Sequence, residues 1–529
     1  MDHDTSDTGD TARRTVLLRA AGLATALLPV AACDDGAPAP ARSSSPSSPG
    51  LPRPTPSRSP GPSASRRPPG PADWAALARD LDGELVRPDS PDYDTARLPY
   101  NPRFRSARPA AVAYCKRPED VRQALRFGSR FTTALSVRGG GHCYAGWSTG
   151  SGLVIDTSEM NDISVSGTTT TIGAGARLMD VYQQLAGRGA TIPAGSCPSV
   201  GIAGLALGGG HGVVSRAYGL TCDSMTGAEV VLADGRVAEV SADHHGDLFW
   251  ALRGAGHGNF GVVTSLRFRT HPAADCATFW MSWPWSRARA VLGAWQEWAS
   301  AAPDELWSHV TLLTTTGGAP RVTAGGLLLG GVTELERQLD GLVGRAGPVT
   351  SVTTVSRSYL DAMVYMAGCA EPSSCSGATE KPYTARSHFF GATPLPDAAN
   401  RALVAQVERM SGLPTGGEGS VQLTALGGAV NRVGPGETAF VHRDSALLAQ
   451  YIAGWEPATA GAVVARCTEW LDDLHGALAP YAGPGAYQNY TDPGLKDWRT
   501  AYYGANATRL ARVKAAYDPG RLFRYPQAV

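Results

Sequence analysis

From residue 73 onward the chain alternates between two hydrophobic periods. Apolar residues recur at helical spacing in Trp74-Ala-Ala-Leu-Ala-Arg-Asp-Leu81 and in Pro118-Glu-Asp-Val-Arg-Gln-Ala-Leu-Arg-Phe127. Both predict amphipathic helices, the second with proline in its first turn. Between and after them come short apolar runs bounded by polar or glycine-rich residues: 110–114, 135–138, 153–156 and 169–172. These predict strands. The pattern then predicts a short helix over 178–185 and a strand over 228–233. Further on, Ser308-His-Val-Thr-Leu-Leu-Thr314 and Val421-Gln422-Leu423-Thr424 alternate as strands do. Gln422 and Thr424, two positions apart, must share one face. Stretches 335–343 and 401–410 read as helices.

Upstream of this patterned region the chain changes character. Residues 34–72 are proline, serine, arginine and glycine with almost no large apolar side chain, a composition that predicts a disordered tether. Before it, Arg13-Arg14 precedes the apolar run Ala20 to Ala32, shorter than a spanning helix needs. Twin arginine followed by such a run reads as an export signal of the twin-arginine kind. Val30-Ala-Ala-Cys33 resembles a lipobox, with Cys33 as the lipidated residue. The expected location is the outer face of the cytoplasmic membrane, or secretion, with membrane contact only through that lipid.

The charge balance narrows the function. With 47 basic and 47 acidic residues the 529-residue chain carries no net charge, so nothing marks it as a nucleic-acid binder. Nine cysteines in this length are too few for a disulfide scaffold, and no CxxC pair suggests zinc. Cys369 and Cys375 are placed to close a small loop in an oxidising compartment. His244-His245 invites a metal reading, but adjacent side chains seldom converge on one ion. No metal is expected.

The candidate chemistry lies in two glycine-rich turns. Arg138-Gly139-Gly140-Gly141-His142-Cys143-Tyr144 ends the 135–138 strand, and Gly195-Ser-Cys197-Pro-Ser-Val-Gly201-Ile-Ala-Gly204 follows the 178–185 helix. Each sets a nucleophilic side chain where backbone can approach a planar ligand closely. The later run Gly208-Gly-Gly-His211-Gly is no dinucleotide fingerprint of the nicotinamide kind, because Val213 occupies its third glycine position.

Together with Asp247-Leu-Phe-Trp-Ala-Leu-Arg-Gly254, Gly258-Asn-Phe-Gly-Val-Val263 and Tyr487-Gln-Asn489-Tyr490-Thr-Asp, these turns resemble the berberine-bridge-enzyme-like oxidases. That family lies within the vanillyl-alcohol-oxidase superfamily, with its PCMH-type FAD-binding domain. The resemblance covers about residues 74 to 529. It implies an α+β fold: a two-part FAD-binding domain over 73–275, a mixed α/β substrate domain over 276–482 whose antiparallel sheet covers the flavin, and a closing segment, 483–529, that returns to the first.

The resemblance also implies roles. His142 would hold FAD through its 8α-methyl group and Cys197 through C6, a bicovalent attachment. Arg138, Gly139, Gly140, Gly141, Gly201, Gly204, Gly208, Val263, Asn489 and Tyr490 would line or hold the cofactor. Tyr487 is the candidate base for a substrate hydroxyl, with His211 the alternative, and Tyr144 and Gln422 would lie on the substrate side. The chain departs from sugar-oxidising members in two places. His211 stands where many carry tyrosine, and Thr424 where some carry a carboxylate.

The expected activity is an FAD-dependent oxidase. It takes a hydride from an alcohol or amine carbon of a carbohydrate or secondary metabolite and passes electrons to O2, giving H2O2. A dehydrogenase or oxidative cyclase is the alternative within enzymes, and a surface binding protein on the same fold the alternative outside them.

Overall fold

The Pro118–Arg130 helix shows how the N-terminal part is built. Glu119 and Asp120 occupy its first turn, where negative charge is favoured, and Val121, Ala124, Leu125 and Gly128 form its buried stripe. The Asp120 carboxylate is buried too. It accepts hydrogen bonds from the backbone N–H groups of Asp82 and Lys116, both at 2.8 Å, and so ties the helix to the chain entering the adjacent sheet. In this computed structural model residues 67–375, 381–391, 394–413 and 415–529 are described. The expected signal and most of the expected tether lie outside the described residues. The first helix begins at Pro71, slightly before the apolar periodicity starts.

Two main sheets, together with a short pairing of Ala190–Thr191 and His271–Pro272, make up the N-terminal part. In the first, Ala111–Tyr114 and Leu135–Arg138 flank Leu153–Asp156 in parallel, with the short Leu85–Val86 antiparallel at one edge. In the second, five antiparallel strands run in the order Ile163–Ser166, Thr169–Gly173, Gly261–Arg269, Met225–Leu232, Val237–Ser241. The helix Gly246–Ala255 packs beside this sheet with Leu248, Phe249, Trp250 and Leu252 in the core.

The largest sheet starts at Cys276. Seven antiparallel strands lie in the order Ser351–Arg357, Cys276–Trp283, Arg321–Leu328, Leu306–Thr315, Gly417–Ala425, Leu447–Trp455, Tyr383–Phe390. One face presents Phe279, Met281, Val310, Leu312, Val421 and Leu423 to a core shared with four helices, Ala288–Ala301, Val332–Ala346, Asp397–Ser411 and Gly461–Leu478. All nine residues of Gly417–Ala425 and of Leu447–Trp455 are buried, because the other face is covered as well. Ser351–Arg357 is an exposed edge by comparison. The fold is α+β, as the family resemblance implies.

Cys369 and Cys375 are joined in a disulfide. The closing segment passes back over the N-terminal part: Lys514 donates to the carbonyl of Asn259 at 2.6 Å, and the amide of Val529 to Asn259 Oδ1 at 3.0 Å.

Candidate active site

The two glycine turns meet backbone to backbone. A Cβ at Gly140 would stand 2.3 Å from the Gly201 nitrogen, and one at Gly201 would stand 2.5 Å from the Gly140 nitrogen. Only two glycines permit so close a crossing. The crossing brings His142 and Cys197, fifty-five positions apart in sequence, beside a single hydroxyl. Ser199 Oγ lies 2.9 Å from His142 Nε2 and 3.9 Å from Cys197 Sγ. The Tyr100 ring stacks on the imidazole with centroids 3.6 Å apart. Burial drives both nucleophiles toward their neutral forms. It lowers His142 to about 3, with Arg177 adding to the effect. It raises Cys197 to about 11, against the hydrogen bonds of Ser199, Val200 and Tyr100.

Both side chains line a cavity of about 480 Å³. Gly139, Gly140, Gly141, Gly201, Gly204 and Val263 contribute to its wall from the N-terminal part, Trp307 and Gln422 from the seven-stranded sheet, and Tyr487, Asn489 and Tyr490 from the closing segment. A Cβ at Gly204 would meet nothing within 4 Å, so the missing side chain leaves open space along this wall. Gly141 is held at φ +73°, a conformation that favours glycine.

Tyr487 projects its hydroxyl between the parts. Its Oη accepts from the Gly210 backbone N–H at 3.0 Å and from the Asn489 side-chain amide at 2.7 Å. Its own backbone N–H donates to Ser387 Oγ at 3.1 Å, which pins the motif to the sheet. His211 Nε2 shares a hydrogen bond of 3.2 Å with Tyr490 Oη, and burial lowers the imidazole to about 3. Tyr144 stacks on Tyr490 with centroids 5.4 Å apart, and its hydroxyl accepts from Gln450 at 3.0 Å.

Two expected cofactor residues are placed elsewhere. Arg138 is absent from the cavity wall. It ends its strand facing the domain interior, where it pairs with Asp156 and donates to the Ala96 carbonyl at 2.6 Å. A buried guanidinium needs such partners; Nε and Nη2 have them, while Nη1 is buried without one. Gly208 lies behind the wall: a Cβ there would run into Asn489 Oδ1 at 1.9 Å and His257 at 2.3 Å. Thr424 shares the Gln422 face and donates no group to the wall, though its hydroxyl accepts from Gln422 at 3.2 Å. His244 and His245 form a turn, with His245 Nδ1 bonded to Tyr517 Oη at 3.1 Å, and no metal-ligating cluster occurs among the described residues.

Comparison with known proteins decides what kind of site this is. Residues 109–241 match the FAD binding domain family, and residues 486–529 match the family described as berberine and berberine like. The FAD-linked oxidoreductase YgaK of Bacillus subtilis is 34% identical over 456 residues, covering 85% of this chain and 97% of the relative. The chain belongs to the berberine-bridge-enzyme-like FAD-linked oxidoreductases. Chitooligosaccharide oxidase of Gibberella zeae is 31% identical over 82% of this chain and 88% of its own length. Among solved structures, the berberine-bridge-enzyme-like protein 1 of Physcomitrella patens superposes with a TM-score of 0.79. It is 29% identical and covers 86% of this chain and 98% of its own.

This berberine-bridge-enzyme-like chain is therefore an FAD-linked oxidoreductase, and the surface-binding alternative falls away. The cavity residues fit the cofactor. Glycine backbone without side chains allows close approach along one wall, and the neutral imidazole of His142 keeps a lone pair available. Several residues of the site escape sequence reasoning: Tyr100, Ser199, His257, Ser387 and Gln450. His257 Nε2 bonds the Gly204 carbonyl at 2.9 Å. Ser199 and His257 lie inside or beside motifs already singled out. Gln450 and Ser387 carry no local signal.

The face of the seven-stranded sheet opposite its helices adds a further feature. Residues directly opposite one another across the sheet are Ser351, Ser282, Thr323, Thr311, Gln422, Gln450 and Ser387, one from each strand. Opposed residues share a face, so hydroxyl and amide groups form one row across the whole sheet. The row runs from exposed Ser351 to buried Gln450 and Ser387, the partners of Tyr144 and Tyr487. Beside its outer end, Trp280 is 41% exposed, packed over Gly325, where a Cβ would stand 2.8 Å from the indole.

Proposed function

We propose that this chain is an exported, lipid-anchored oxidase. In this reading it takes a hydride from a hydroxyl-bearing carbon of a carbohydrate, using FAD attached through His142 and Cys197 and returning electrons to O2 as H2O2. FAD supplies the hydride acceptor. The observation that carries the reading is the Tyr487 hydroxyl, which accepts two hydrogen bonds at the wall that also holds His142 and Cys197. Donors aimed at a phenolic oxygen favour its deprotonated form, so Gly210 and Asn489 prepare Tyr487 to take the substrate's hydroxyl proton as the hydride leaves. His211 is neutral and weakly basic in its buried place, which suits it to orient Tyr490 rather than to act as base.

The polar row and Trp280 support a carbohydrate over a small alcohol. A chain of sugars presents hydroxyls for side-chain hydroxyls and amides and apolar ring faces for an indole. The same supports are absent from a purely apolar pocket of the kind that favours a hydrophobic metabolite. Oligosaccharide oxidases among the relatives agree with this choice.

Screening a panel of mono- and oligosaccharides with peroxide detection tests the reaction. Peroxide from at least one glycan, lost in Tyr487→Phe, supports it. Turnover only with an artificial acceptor would replace the oxidase by a dehydrogenase. Flavin retained by acid-precipitated protein supports covalent attachment. For location, Cys33→Ala should move the enzyme from the membrane fraction to the soluble exported fraction, and Arg13→Lys with Arg14→Lys should block export.

A further inference from the structure

We propose that Ser199 is a positioning residue for flavin attachment, holding both nucleophiles, His142 and Cys197, in their reactive arrangement. The inference rests on the bicovalent reading above and adds to it a residue that forms neither bond. Its basis is geometric. Ser199 is buried in the turn between Cys197 and Gly201, where the Gly140–Gly201 backbone crossing fixes its distance from the His142 loop. Its single hydroxyl reaches His142 Nε2 at 2.9 Å and Cys197 Sγ at 3.9 Å.

A hydroxyl both donates and accepts, so one Ser199 can serve the two side chains together. With Nε2–H donating to Ser199 Oγ, the imidazole is held in the tautomer whose Nδ1 lone pair is available. The Tyr100 ring covers one face of the imidazole and prevents it from tilting. The Ser199 O–H is then directed toward Cys197 Sγ. There it offsets part of the burial that otherwise keeps the thiol protonated, and the thiolate is the nucleophilic form.

Each attachment breaks one C–H bond of the flavin and the N–H or S–H bond of the side chain and forms the C–N or C–S bond. Two electrons and two protons remain on the ring system. Dioxygen, the oxidant, removes both pairs as hydrogen peroxide before the next attachment. Ser199 contributes no atom to either bond. It orients the imidazole and provides the route by which the Nε2 proton leaves as Nδ1 becomes substituted.

The test compares full-length Ser199→Ala, Ser199→Thr and Ser199→Val, purified as expressed. Flavin retained after denaturation is read by absorbance, and its position by mass mapping of the His142 and Cys197 peptides. Loss of one hydrogen bond of ordinary strength slows a step by about tenfold, so Ser199→Ala should release a substantial share of its flavin on denaturation. Thr and Val have nearly the same shape and differ by the hydroxyl, so they separate chemistry from folding. Full attachment in Ser199→Thr with partial attachment in Ser199→Val supports the proposal. Equal attachment in the two, or complete attachment in Ser199→Ala, overturns it. Wild-type protein that releases all its flavin removes the bicovalent reading itself, and this proposal with it.

Discussion

Gly140 and Gly201 touch through their backbones: the Cβ that either lacks would stand within 2.5 Å of the other's nitrogen. This contact holds the two glycine turns together, so its disturbance is felt at His142 and Cys197 alike. Gly140→Ala must push one loop away from the other. Overpacking of this kind costs about 1–3 kcal/mol. The expected outcome is a lowered melting temperature together with reduced flavin content, measured by the ratio of visible to ultraviolet absorbance. Gly204→Ala is the contrast, since its Cβ meets no protein atom. It should melt as the wild type does and lose flavin only, because its methyl would enter the cofactor's space.

Tyr487→Phe removes the proposed base and keeps the ring that packs edge-on against Phe440 and Tyr490. General-base catalysis contributes about 10²- to 10⁴-fold, so kcat should fall by that order while the flavin spectrum and melting temperature stay near wild type. Asn489→Ala leaves the base but deletes one of its two donors. A phenolate with fewer donors is harder to form, so the rising limb of the pH–rate profile should move to higher pH. An unmoved limb would show that Asn489 does not tune the base.

The limits of the sequence are clearest at particular residues. His142 and Cys197 can be paired as candidates from the sequence because both turns lie in ordered family motifs, and the fold brings the two side chains to one hydroxyl. The strands at 135–138 and 153–156 are legible because their short apolar runs are bounded by turn residues. Arg138 shows where such reading stops. It stands in the motif, yet its side chain turns to Asp156, eighteen residues away and unremarkable in sequence. Gln450 reaches Tyr144 across 306 positions. Its strand is buried on both faces, so it lacks the alternation that would mark which side chains face the cavity. The polar row is invisible for a similar reason: it depends on the register of seven strands, and register is a property of pairing, not of any one segment.

Stability should fall in acid, and histidines are the reason. Burial lowers His309 to about 4 and His475 to about 4, with Arg386 adding to the second, and it lowers the stacked neighbour His388 as well. In the unfolded chain each titrates near ~6.5. Above that pH both states hold the histidines neutral and the full stability is present. As pH falls below it, the unfolded chain takes up protons that the folded chain refuses, so stability is lost progressively toward pH 4. Asp492, raised by burial, works in the opposite sense, but one carboxyl opposes several imidazoles. Melting temperatures should stay level from pH 7.5 to about 6.5 and decline from there to pH 4.5, and His475→Asn should flatten the slope. A melting temperature constant over that range would contradict the account.

Trp280 distinguishes a long substrate from a short one. It lies on the strand Cys276–Trp283, two strands beyond Leu306–Thr315 and so toward the open end of the polar row, while the proposed hydride transfer would take place in the cavity at the buried end. A disaccharide bound at the cavity need not extend to it; a longer chain following the row would cross it. Trp280→Ala therefore should leave kcat and the KM for short sugars unchanged. The KM for longer ones should rise, by up to about tenfold if the indole contributes an ordinary stacking contact of ~0.5–1.5 kcal/mol. The indole already packs over Gly325, with His309 beyond at 5.9 Å between centroids, so its pose is set before substrate arrives and little ordering entropy remains to be lost. Measuring KM against chain length in wild type and Trp280→Ala reads this directly. Two parallel curves would mean that the row ends short of Trp280 and that specificity is decided wholly within the cavity.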